Sequence, residues 1–382
     1  MRKRKICFVV TSHIHYTRNK LVLDALRDHP RVELQIVVGG SAILPKYGEV
    51  LDLMQKDGFK CSAKITMVFE GGSPIAMAKT TGIGITEFAT VFDNLNPDVV
   101  IVRGDRYEVL SAAIAASYLN IPVAHIEGGD VTGTIDESVR HAITKLAHIH
   151  FATNEVSLGR ILRMGERPEY VFNVGSPELE FTASIRGRLS SKLINYLGVG
   201  DAIDIRKPYL VVMQHPVTSE IEENQRHIME TLHAIHGLKM PTIWFWPNVD
   251  AGTDDISKVI RTFREEKSPK KIRFIKYLPP DEFTRLLKSA KCLVGNSSSG
   301  IKECSYLGVP VVNIGTRQNG RLRTENVIDV PYDRNTIHNA VRRQIANGEY
   351  PRSHAYYQKG TGQRIADTVA TVPLYTQKQF VD

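Results

Sequence analysis

Strand-like apolar runs in this chain repeatedly end on residues able to do chemistry. The run before RGDR at 103–106 delivers Gly104, Asp105 and Arg106. Gly104 allows a tight turn. Asp105 suits an acid/base role or the N-cap of a following helix, and both readings stand. Arg106 suits a phosphate clamp. A second run ends at Glu127 in HIEGGD, and a glycine-containing loop then leads to Asp136, Glu137 and Arg140. Asp136 and Glu137 fit the positive start of a helix. Yet Asp105, Glu127 and Asp136 all fall where neighbouring strands converge, and close carboxylates can divide acid and base roles. His215 follows a third run in QHPVT and can move a proton near neutrality, although a lone histidine is often structural. A fourth run leads into Asn296, Ser297, Ser298, Ser299 and Gly300, ahead of a helix expected near Ile301. Hydroxyls and backbone N–H groups there suit an anion, against the plainer reading of a serine-rich cap. Glu303 suits ribose hydroxyls, and Arg317 after the next run suits phosphate charge.

Other signals carry little. GIGITEF at 82–88 has no strand directly before it and lacks a third glycine, so it is no dinucleotide fingerprint. The HIH triplets at 13–15 and 148–150 lack the i, i+4 spacing of a helical zinc pair, and no metal or cofactor is expected.

The elements that position these groups alternate in type. Strands are expected at 5–11, 33–38, 98–102, 123–126 and 170–174, with helices at 17–29, 106–119 and 136–148. Continuous apolar strands alternating with helices indicate a parallel sheet covered on both faces. The pattern restarts with strands at 208–213, 242–246, 272–275, 292–295 and 310–314, and closes on a helix at 361–372. The expected class is α/β with two Rossmann-like doubly wound domains. The boundary falls in a polar stretch between about 180 and 207. The expected domains are 1–185, carrying the carboxylates, and 205–350, holding the anion site, with 355–382 packing back on the first. Ligands in such sheets bind at the carboxyl ends of the strands.

The totals agree. A length of 382 residues exceeds what one core usually serves. No apolar run approaches the ~18 residues of a membrane span. The basic start before a short apolar run reads as a solvated tail feeding a strand, not a signal peptide. Four dispersed cysteines form no CxxC pair and fit a reducing cytoplasm. A formal charge of +8 favours acidic partners, but the basic residues are scattered and no nucleic-acid-binding motif is present.

The motifs together resemble the hydrolysing UDP-N-acetylglucosamine 2-epimerases of sialic acid biosynthesis, both the bacterial enzymes and the epimerase domain of the bifunctional animal enzyme. The resemblance rests on RGDR at 103–106, HIEGGD at 125–130, GTIDESVRHAITKLAH at 133–148, QHPVT at 214–218, PNVDAG at 247–252, GNSSSGIKE at 295–303 and NIGTRQNGR at 313–321. It implies a glycosyltransferase-B-type fold with the active site between the two domains. It implies catalytic roles for Asp105, Glu127, Asp136 and His215. It implies that Arg106, Ser297, Ser298, Glu303 and Arg317 hold UDP, with Ser299 and Gly300 completing the same turn. It implies a UDP-sugar substrate, no cofactor, a homodimer or homotetramer, and release of N-acetylmannosamine and UDP through 2-acetamidoglucal. A hydrolysing epimerase acting on UDP-N,N′-diacetylbacillosamine is the near alternative. A non-hydrolysing epimerase fits less well, because IDES and QHPVT replace its acidic and H-R-R-E patterns. A sugar-nucleotide-binding regulator without catalysis fits poorly with the intact acid/base set. One departure stands out. The family's first loop reads like T-x-N/T-R-A-D/E-Y, whereas this one reads TSHIHYTR, with His13 at the arginine's place and His15 at the acid's. His13, or Arg18 from the next helical position, takes the arginine's part, and the identity of the sugar turns on this loop.

Overall fold

The computed structural model describes residues 2–44, 50–69, 73–247 and 252–381. Positions 248–251 of PNVDAG lie outside them. The chain divides into two compact units, one formed by Met1–Asp130, Asp136–Phe181 and Tyr356–Asp382, the other by Val131–Ile135 and Thr182–Ala355.

The first unit is built on a sheet of seven strands: β1 Arg4–Val10, β2 Val32–Val38, β3 Ala63–Lys64, β4 Val99–Arg103, β5 Val123–Ile126, β6 Ile149–Ala152 and β7 Val171–Asn173. Their order is β3-β2-β1-β4-β5-β6-β7, and all pairings are parallel. Side chains alternate between the faces. Ile6, Phe8 and Val10 enter a core shared with the helices Lys20–Asp28 and Thr361–Thr371. Cys7 and Val9 enter the opposite core, under Pro74–Leu95 and Tyr107–Tyr118. Burial on both faces explains why these strands read as unbroken apolar runs.

The second unit repeats the plan with β8 Gly198–Gly200, β9 Leu210–Met213, β10 Thr242–Phe245, β11 Ile272–Ile275, β12 Cys292–Gly295, β13 Val311–Ile314 and β14 Val327–Val330. The order is β14-β13-β12-β9-β10-β11-β8, and only β8 runs antiparallel. Cys292 and Val294 face one core and Leu293 the other. The sheets and helices are those of two Rossmann-like doubly wound folds.

Three details differ from the sequence expectation, and a fourth, GIGITEF, gains a structural account. The polar stretch expected to join the domains instead forms the helix Ser191–Leu197 and the edge strand β8. Its polar groups are satisfied internally: Arg273 Nε donates to Ile194 O at 3.0 Å, and Asn195 Oδ1 accepts from Ile203 N at 2.9 Å. The first loop is a helix, His13–Arg18, whose N-cap Ser12 accepts from His15 N; Asn19 then separates it from Lys20–Asp28. GIGITEF lies inside the 22-residue helix Pro74–Leu95, where a Cβ on Gly84 would come within 2.8 Å of Ser111 Cβ, so the glycine serves close helix packing. The helix expected from Ile301 is two short ones, Ser298–Ile301 and Glu303–Leu307.

Candidate active site

In each sheet the strand order reverses once, between β1 and β4 in the first and between β9 and β12 in the second. Helices leave such a pair toward opposite faces and open a crevice at the strands' carboxyl ends. The chemically capable residues follow these strands and their neighbours β5 and β13.

In the first unit, β1 leads into His13–Arg18 and β4 into Gly104, Asp105 and Arg106. Gly104 takes φ +77°, its N–H donates to Ile126 O at 2.9 Å, and its carbonyl lies 2.8 Å from His125 Nε2. A carbonyl only accepts, so Nε2 carries the proton. Burial, partly opposed by that hydrogen bond, brings the His125 pKa down to about 4 and keeps the ring neutral. The other ring nitrogen faces Thr144 Oγ1 at 3.2 Å, and Thr144 Oγ1 is 3.0 Å from Arg140 O. Arg140, fully buried, pairs with the Asp105 carboxylate and donates to Asp130 O at 3.0 Å. A closed ring of contacts thus runs Gly104, His125, Thr144, Arg140, Asp105. The N-cap reading of Asp105 fails: the cap of Tyr107–Tyr118 is Arg106, which makes no side-chain cap bond.

Glu127 ends β5 at φ +75°, a left-handed conformation that costs a non-glycine residue of order 1–3 kcal/mol. Its Oε2 accepts from Arg103 Nε at 3.0 Å, and the same guanidinium bonds Glu178. All three side chains are buried. Asp105 and Glu127 therefore each face a guanidinium. Asp136 lies half-buried in the first turn of Ile135–Leu146, the helix that carries Arg140. Arg106 makes a two-pronged contact with buried Glu108 at 3.1 and 3.2 Å. His13 and Arg18 stand at the two ends of their helix, and burial lowers the pKa of His13.

In the second unit, Gly295 ends β12 at φ +132°, where a Cβ would meet Met213 O of β9 at 2.1 Å. That close approach lets the fully buried Asn296 bridge the two strand ends. Its Oδ1 accepts from His215 N at 2.7 Å, and its Nδ2 donates to His215 O at 2.9 Å. The half-buried His215 is thereby fixed through its backbone. Ser297 is the N-cap of Ser298–Ile301, accepting from Ser299 N at 3.3 Å, so the plain capping reading holds at this position. Ser299 Oγ donates to Glu303 Oε1 at 3.1 Å. A Cβ on Gly300 would meet Val311 Cγ1 at 2.9 Å, so the turn lies flat on β13. Arg317 Nη1 and Gln318 Nε2 both donate to Asn296 O, at 3.3 and 2.9 Å.

Each unit thus gathers its own group: Asp105, Arg106, Glu127 and Asp136 with His13 and Arg18 in the first, His215, Ser297–Gly300, Glu303 and Arg317 in the second. Sequence reasoning named Arg140 and Asn296 without giving them a role and missed Arg103, His125, Thr144 and Glu178; all six hold those residues in place. The available signal was a cation or amide at the end of an apolar strand, as at Arg103 and Asn296.

Three likenesses bear on this arrangement. Over 374 residues the chain is 34% identical to a UDP-N,N′-diacetylbacillosamine 2-epimerase (hydrolyzing) of Legionella pneumophila, covering 98% of this chain and 97% of that one. It is 30% identical to a UDP-N-acetylglucosamine 2-epimerase of Neisseria meningitidis, covering 100% and 99%. In structure it is similar to the UDP-GlcNAc 2-epimerase of Methanocaldococcus jannaschii solved with UDP-GlcNAc and UDP, with a TM-score of 0.80, 20% identity and coverage of 96% and 99%. The fold class read from the sequence, two Rossmann-like units of the glycosyltransferase-B type, is the one the chain has. Residues 24–370 match the family model described as UDP-N-acetylglucosamine 2-epimerase, and the chain belongs to that family.

Proposed function

We propose that the protein is a hydrolysing 2-epimerase that converts UDP-N-acetylglucosamine and water to N-acetylmannosamine and UDP, serving sialic acid or related nonulosonic acid biosynthesis. The observation that carries the reading is the pair Asp105 and Glu127, at the ends of adjacent strands and each tied to a buried arginine. Carboxylates held by charge-assisted hydrogen bonds are fixed in direction, as acid/base work on a sugar ring requires.

The reaction has two stages. A base takes the C2 proton, the freed electron pair forms the C1=C2 bond, and UDP departs with the electrons of the C1–O bond. Water then adds to 2-acetamidoglucal, its hydroxyl to C1 and a proton to C2, leaving C2 inverted. Asp105, Glu127, Asp136 and His215 supply the proton transfers. Arg106, Arg317 and the Ser297–Gly300 turn take the charge of the departing diphosphate. Glu303 takes the ribose hydroxyls, and His13 or Arg18 serves the nucleotide from the first helix. The reading includes no cofactor.

A second substrate, UDP-N,N′-diacetylbacillosamine, is favoured by the name of the Legionella relative. One experiment separates the two. The protein is incubated with each UDP-sugar in deuterated water and followed by proton NMR. Release of N-acetylmannosamine deuterated at C2 supports the first substrate. Turnover of the bacillosamine compound alone replaces it. Formation of UDP-N-acetylmannosamine refutes the hydrolysing mechanism. Asp105→Asn and His215→Ala should abolish UDP release with an unchanged circular dichroism spectrum.

A further inference from the structure

The reading above leaves His15 without a role, yet the fold places it at the crevice of the first unit. His15 lies on the helix after β1, and β1 is the neighbour of β4 at the point where the strand order reverses. The side chain is 7% exposed. Its Nδ1 is 2.9 Å from Thr11 Oγ1. Its Nε2 makes no hydrogen bond with any of the described residues and faces the Gly104 turn, where a Cβ would stand 3.9 Å away. One nitrogen of this ring is thus held by Thr11, and the other is aimed at the turn before Asp105 without being enclosed by protein atoms, so a ligand can reach it.

The surrounding charges identify what it meets. Arg106, Arg103 and Arg18 act on the ring as cations, and Glu127 as an anion. Burial foremost, then Arg106 and Arg103, hold its pKa at about 3, so the imidazole is neutral and has a single N–H. Glu127 belongs to the proton chemistry of the sugar and Arg106 to the diphosphate. A ring that feels both lies at their junction, the phosphate joined to C1. That phosphate gains negative charge as the C1–O bond breaks and needs a donor.

We infer that His15 is a substrate-contacting residue, its Nε2–H donating to the C1-linked phosphate oxygen of a UDP-sugar, with the Thr11 hydroxyl donating into Nδ1 and so keeping the proton on Nε2. This rests on the function proposed above. No proton is transferred from His15. It stabilises departing UDP by a fixed dipole, and loss of one such donor typically costs about 10²–10³ in kcat.

The test uses the full chain and UDP release from whichever UDP-sugar the wild type turns over. His15→Ala should lower kcat about 100-fold with KM within a few-fold, because the bond strengthens only as charge develops. His15→Gln retains a side-chain N–H and should recover at least about tenfold of that loss. Thr11→Val should lower kcat while leaving the thermal midpoint near that of the wild type. The inference is overturned if His15→Ala keeps kcat within about threefold, or if His15→Gln is as slow as His15→Ala at an equal thermal midpoint. Wild-type protein that turns over neither UDP-sugar instead overturns the functional reading.

Discussion

Methionine at position 103 keeps most of the length of arginine and removes the guanidinium. Arg103 is 2% exposed and holds two carboxylates, Glu127 at 3.0 Å and Glu178, which are themselves 8% and 3% exposed. The substitution leaves both acids buried against a thioether. Breaking a buried ion pair by deleting one partner costs about 3–5 kcal/mol. One cation here serves two anions, so the cost should lie near 5 kcal/mol. For a domain of this size each kcal/mol moves the thermal midpoint by about 2–4 °C, which gives a fall of about 10–20 °C by scanning calorimetry. Adding Glu178→Gln removes one of the stranded charges and should restore about 1 kcal/mol or more, as coupled neighbours do. UDP release should be lost in Arg103→Met, because Glu127 has lost the donor that aims it. A fall of less than about 3 °C, or no recovery in the double variant, would refute the reasoning.

Three further outcomes are expected. Glu166 accepts hydrogen bonds from His150 at 3.0 Å and from Lys378, and is paired with Lys145 at 2.8 Å. Against burial, these contacts hold its carboxyl at about 2, below its ordinary 4.5, so the stability it contributes is full above about 4.5 and is lost as the pH falls toward 2. Glu166→Gln should flatten denaturant midpoints across that window, and an unchanged pH profile would count against the network. Gly295→Ala places a methyl against Met213 O in a left-handed conformation and should destabilise by several kcal/mol in urea titration, roughly the sum of backbone strain and a β9–β12 clash. A thiol-disulfide reagent should label Cys61 alone in the folded protein, because Cys7, Cys292 and Cys304 are buried whereas Cys61 is half-buried; labelling of all four should follow denaturation.

Much of this arrangement was legible in order along the chain. VAHI, IRFI and CLVG are strands at the expected residues, because strands of a sheet covered on both faces are mostly apolar and lack polar alternation. The expected helix at 17–29 was less complete. It is divided at Asn19, and a separate short helix begins earlier, at His13, because a Ser12 cap, invisible in the apolar pattern, supplies the missing hydrogen bond. The edge strand β8 was illegible for a related reason. Three residues with two glycines have no periodicity, and their pairing with β11 is a long-range contact.

The sequence by itself determined which residues stand at the strand ends, since apolar runs and the polar groups that stop them are local features. It thereby named Asp105, Glu127, His215 and the serine turn. Tertiary structure alone decided what each of them touches. Arg140 meets Asp105, Arg103 joins Glu127 to Glu178, and Asn296 grips His215, across separations that no local pattern encodes. A buried charge must find a partner or be excluded, and which partner is set by the order of strands in the sheet. The same ordering puts β1 beside β4 and brings His15, unremarkable in its own helix, to face the turn that carries Asp105.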